Sequence, residues 1–137
     1  MQLGETGAFS SSFALAFPDE LLATEYIGVV NTDAWGVCRT GQLQQVQVDG
    51  GSDNLVTLVT RDNASLNQSG FEGFAEFNVA APDGTINRIV NFSFYRIGRT
   101  VIAEISEYGA LSDADFETFT ADVFTALTAS YDRVNAL

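Results

Sequence analysis

The chain has 137 residues, 46% of them hydrophobic, with 18 acidic residues against six basic ones, no histidine and a net charge of −12. That length and apolar content suit a single domain spanning residues 1–137, with a core that needs neither disulfide nor structural metal. The charge excludes nucleic acid, whose phosphates need a basic face, and anionic membrane surfaces; no apolar run approaches the ~20 residues of a membrane-spanning helix, so no membrane insertion is expected.

Residues 8–17, AFSSSFALAF, alternate strictly. Phe9, Phe13, Leu15 and Phe17 share one face and Ser10, Ser12, Ala14 and Ala16 the other, which predicts a strand. Pro18 ends it, and Asp19 caps a short helix through ELLATEYIGVV, although Ile27, Val29 and Val30 also suit a strand. NTDAWGVCRTG carries too many turn formers to be regular throughout. QLQQVQV and NLVTLVT then predict two strands joined by a DGGSD hairpin turn, with a polar loop, RDNASLNQSG, after them.

Three strands in series follow: FEGFAEFNVAA, INRIVNFSFYRI and RTVIAEISEY. A two-residue turn at Ile97-Gly98 opposes Phe94 to Val101, Phe92 to Ala103 and Val90 to Ile105. A four-residue loop at 82–85 opposes Val90 to Phe77, Phe92 to Ala75 and Phe94 to Gly73, and keeps glutamates off the apolar side. SDADFETFTADVFTALTASYDRV predicts a helix capped by Ser112 or Asp113, with Phe116, Phe119, Val123, Leu127, Tyr131 and Val134 in one stripe. Its length lets it run back antiparallel over the preceding sheet. The predicted fold class is α+β: an antiparallel sheet of about five to six strands, a C-terminal helix packed on it and a shorter helix near the N-terminus.

Composition closes most catalytic routes. Without histidine there is no Ser-His-Asp relay, and without lysine no Schiff base and no phosphate-binding loop lysine. Cys38 is the only cysteine, with no base to activate it, and reads as a half-buried structural residue. The expectation is therefore a binding or adaptor domain with no cofactor or metal; the alternative is a small apolar-ligand carrier or unconventional enzyme with a pocket between sheet and helix. DGGSDN offers oxygen ligands without the spacing of a calcium loop, and reads as a plain turn. Glu72 and Glu76 share a face, which would allow acid–base chemistry if burial raised one pKa; solvated sheet charges are the plainer reading. Asn-x-Ser/Thr triplets beginning at Asn63, Asn67 and Asn91 read as chance.

Two features remain as binding candidates. Arg88 faces Glu107 as a cross-strand ion pair, whereas Arg96 and Arg99 meet at a hairpin tip. There they take acceptors from the end of the last helix (Asp132, its carbonyls, the chain's carboxylate) or form an anion-binding notch. Trp35, Phe74 and Tyr95, with Tyr26 and Tyr108, are more aromatics than one core face needs. The second face is covered by the first helix, or it serves as a ligand pocket or partner surface. The lysine-free acidic composition suits high-salt solvent, and biased base composition gives the same signature.

SFALAFPDE, the late hairpin NFSFYRIGRTVIAEISEY and the terminal FTALTASYDRV together resemble the PsbP-like fold family. The chain departs from that family after Pro18, where Asp19-Glu20-Leu21 replaces the usual Gly-Trp. The resemblance implies a non-catalytic module that docks a protein partner or cradles a small apolar ligand; it carries over no site residues. An extracytoplasmic location is expected, with no signal peptide visible in MQLGETGAFSSS.

Overall fold

The computed structural model describes residues 2–3, 8–60, 72–109 and 113–136. The elements run β1 (Gln2–Leu3), β2 (Ala8–Ala16), α1 (Glu20–Val30), α2 (Asp33–Asp49), β3 (Leu55–Thr60), β4 (Gly73–Ala80), β5 (Ile86–Ile97), β6 (Thr100–Tyr108) and α3 (Asp113–Asn135). The polar loop 61–70, the triplets at Asn63 and Asn67, and the Ser112 cap lie outside the described residues.

All strand pairings are antiparallel, in the order β1-β2-β6-β5-β4-β3. The expected α+β class holds, with the terminal helix packed on the sheet. The sheet is covered on both sides, however. One face, carrying Phe77, Val90, Phe92, Phe94, Val101 and Ala103, packs against Ala23, Ile27 and Val30 of α1 and the half-buried Trp35 and Leu43 of α2. Its rings meet edge-on, Phe92 lying 5.7 Å from both Phe77 and Trp35, a favoured aromatic geometry. The other face packs under α3 through two apolar clusters: Ala8, Tyr108 and Phe119 near its start, Tyr95, Ile102 and Val134 near its end. That order confirms that α3 runs back antiparallel to β6, and it makes α3, not the first helix, the cover of the second face.

The segment read as a turn-rich stretch and a strand is the helix α2. Its turn formers are caps: Asn31 closes α1, and the Thr32 hydroxyl accepts the Trp35 amide at 3.3 Å to open α2. In QLQQVQV the half-buried residues are Leu43, Gln44 and Gln47, not the valines. Gln44 accepts the Val56 amide at 2.9 Å and donates to the Asn54 carbonyl at 2.9 Å, so a polar side chain seats the start of β3 while Val46 and Val48 remain exposed. Cys38 also sits on the outer side of α2, exposed rather than half-buried.

The β4–β5 register is the one expected, Phe77 opposite Val90 and Gly73 opposite Phe94, with a bulge after Val79. A Cβ on Gly73 would come within 3.3 Å of both Val30 and Asn31, so glycine lets α1 close onto this strand. The β5–β6 register differs from expectation: Phe94 pairs with Ala103 and Ile97 with Thr100, so the two-residue loop is Gly98-Arg99. Gly98 occupies the first loop position at φ +56 and Arg99 has a negative φ, the sign pattern of a type II′ turn. Because this register slips by an even number of residues, every side chain keeps its expected face.

Candidate functional site

The five residues singled out by sequence do not converge. Trp35, in the first turn of α2, points into the aromatic core, with the Arg39 guanidinium 5.1 Å above its ring. Phe74 is 3% exposed and Tyr95 8%. Tyr95 lies beneath α3, its ring 5.7 Å from that of Tyr131. Burial, then the charges of Glu104, Tyr131 and Asp132, push its phenol up to about 12. Arg96 lies on the face away from α3. It donates to the Gly98 carbonyl at 2.7 Å and faces Glu72 at 3.9 Å, so the helix end is not its acceptor. Arg99 is exposed at the tip, and Arg88 pairs with Glu107 at 3.0 Å as expected, though diagonally across the strands.

Glu104 is a buried acid that the sequence does not single out. It is 2% exposed, on the sheet face under α3. The Ser10 hydroxyl donates to its Oε1, Ser93 and Ser106 are buried on the same face, and Oε2 has no hydrogen-bond partner among the described residues. Burial raises this carboxyl to about 8, the amino-terminal charge working the other way, so it is mostly protonated at neutral pH. The signal was present: alternation in β6 places Glu104 with Ile102 on the side where an amphipathic helix returns. Glu76, on the same face, is also raised by burial.

The surface that stands out is β2. Phe17 donates its amide to the Arg99 carbonyl at 2.9 Å, continuing the ladder in which Leu15 pairs with Val101 and Phe13 with Ala103. Hydrogen-bonded pairs alternate along an antiparallel ladder, so the odd residues of β2 bond to β6. The amides and carbonyls of Ser12, Ala14 and Ala16 therefore point outward, and among the described residues β1 pairs only with Ala8 and Phe9. Phe9 and Phe13 are 44% and 43% exposed on one side of this edge, beside half-buried Leu15 and Ile105. On the other side is a cavity of about 170 Å³ lined by Ser12, Ala14, Ile102, Ser130, Arg133 and Val134, with Phe13 at its rim. Arg133 donates to the Ser130 hydroxyl at 3.0 Å, which lies 3.3 Å from that of Ser12.

Compared with protein-family models, curated proteins and solved structures, the chain matches none.

Proposed function

We propose that this chain is a non-catalytic binding or adaptor module that docks a protein partner on the uncovered side of β2. The observation that carries this reading is the exposure of Phe9 and Phe13 within a ten-residue stretch, residues 8–17, that holds no charged side chain in a chain of net charge −12. Helices α1 and α2 cover the centre of that face and leave its β2 margin open. Phe9 and Phe13, beside Leu15 and Ile105, form the kind of apolar anchor that a partner desolvates, and the chain's net charge of −12 favours a partner with a basic rim. The resemblance to the PsbP-like family points to the same class.

The test uses the wild-type chain and a Phe9→Ser/Phe13→Ser variant as cross-linking baits, with each captured protein purified and re-tested as a binary complex. The reading expects a stoichiometric partner whose cross-links fall on β2 and whose affinity drops at least tenfold in the variant. Cross-links mapping elsewhere, or equal affinity for both baits, would contradict it.

A further inference from the structure

We propose that the partner is held by strand addition: an extended segment of it pairs its backbone with the outer edge of β2, between Ser12 and Ala16. This rests on the docking reading above and goes further, naming the mode of recognition and the chemistry of the segment.

The backbone of β2 sets the site. Three residues spaced two apart, Ser12, Ala14 and Ala16, present outward amides and carbonyls, a repeat of roughly 6.8 Å that only an extended chain matches. Their side chains are all exposed. Edge strands are ordinarily guarded by charge, proline or a bulge. The opposite edge has such a guard, since β3 changes register between Leu58 and Thr60. In contrast, β2 keeps one unbroken register with β6 from Phe9 to Ala16 and carries no charged residue.

The flanks complete the site. An added strand projects alternate side chains to the two faces of the sheet. Those on one face lie beside Phe13 and Leu15, which suits aliphatic or aromatic residues. One on the other face enters the cavity floored by Ala14, Ile102 and Val134, where Arg133 and the hydroxyls of Ser12 and Ser130 suit a short aliphatic stem ending in a hydrogen-bond acceptor. A second copy of this chain fits poorly as occupant, because two bodies of charge −12 repel. The occupant is instead a segment of a different protein, with basic residues flanking the paired stretch.

The test selects a displayed library of random dodecapeptides on the folded wild-type chain. Strand addition predicts enriched peptides with alternating apolar positions and flanking Arg or Lys. Binding should slow amide exchange at Ser12, Ala14 and Ala16 at least tenfold and leave Phe13 and Leu15 unchanged. Ala14→Pro, which removes an outward amide and spares the β6 ladder, should lose at least tenfold in affinity, whereas Ala14→Ser keeps it. The exchange measurement on wild type decides the matter even where the proline variant does not fold.

Failure to enrich any peptide, unchanged exchange at the three amides, or equal binding to wild type and a folded Ala14→Pro overturns strand addition. So does concentration-dependent dimerisation through β2 in sedimentation. If Phe9→Ser/Phe13→Ser abolishes partner binding while Ala14→Pro does not, strand addition falls and the docking reading stands. If neither variant affects the partner, both fall.

Discussion

The amide of Phe17 bonds to the carbonyl of Arg99 at 2.9 Å, and that one contact fixes which half of β2's backbone faces the sheet. From it follow the outward amides of Ser12, Ala14 and Ala16, on which the proposed docking edge is built. The same register places Ser10 beside Ser106 and Ser12 beside Glu104, so β2 also borders the buried carboxyl under α3.

Glu104 makes stability depend on pH. Its folded pKa, about 8, lies above the ordinary 4.5, so the folded state binds the proton more tightly than the unfolded state does. Stability from this group is therefore full below about pH 4.5 and is lost as pH rises towards 8, at up to about 1.4 kcal/mol per pH unit. Thermal melts of wild type should fall between pH 5 and pH 8. Glu104→Gln, which keeps the shape and removes the ionisation, should flatten that fall and raise Tm at pH 8. Parallel melting profiles for the two proteins would contradict the burial of this carboxyl.

Trp35 is the chain's single tryptophan and lies 5.7 and 5.8 Å from Phe92 and Phe94. Its fluorescence should be blue-shifted in the folded state and move red on unfolding in step with the loss of circular dichroism. Trp35→Ala should cost roughly 2–4 kcal/mol in urea unfolding, somewhat below a fully buried aromatic because the ring is half-exposed.

Gln44 joins α2 to β3 through both ends of its amide. Gln44→Leu would leave the Val56 amide and Asn54 carbonyl unpaired, a cost of about 1–3 kcal/mol by denaturant titration. An effect no larger than that of Gln45→Leu, whose side chain bonds only within its own helix to Asp49, would contradict this role.

The arginine pairs should contribute little. Arg88 and Glu107 are both substantially exposed, and Arg96 meets Glu72 only at 3.9 Å. Arg88→Gln and Arg96→Gln are each expected to lower stability by less than about 1 kcal/mol, with the Arg88 effect fading in high salt. Gly98→Ala should cost more than Arg96→Gln, since φ +56 strains any residue with a Cβ.

These contrasts show which parts of the fold the sequence could reveal. Strict alternation in β2 and in the β4–β6 meander predicts strands and faces, because burial acts on every second side chain. Residues 33–49 escaped that logic, as α2 turns Trp35, Arg39, Leu43 and Gln44 inward and leaves Val37, Val46 and Val48 exposed. Polar residues inside and valines outside invert the helical stripe that a pattern search seeks. The β5–β6 hairpin admitted two registers differing by two residues, with identical face assignments; only the II′ sign pattern at Gly98-Arg99 separates them. The open β2 edge was half-legible. The apolar alternation of Phe9 and Phe13 was plain, but their exposure depends on how far α1 and α2 reach across the sheet.

The central claim is that β2 presents an open backbone edge, and residue-resolved amide hydrogen exchange on the free chain tests it most directly. An open edge predicts fast exchange at Ser12, Ala14 and Ala16 and slow exchange at Ser11, Phe13 and Leu15, whose amides lie in the β6 ladder. Equal protection across both sets would show the edge already occupied and contradict the account.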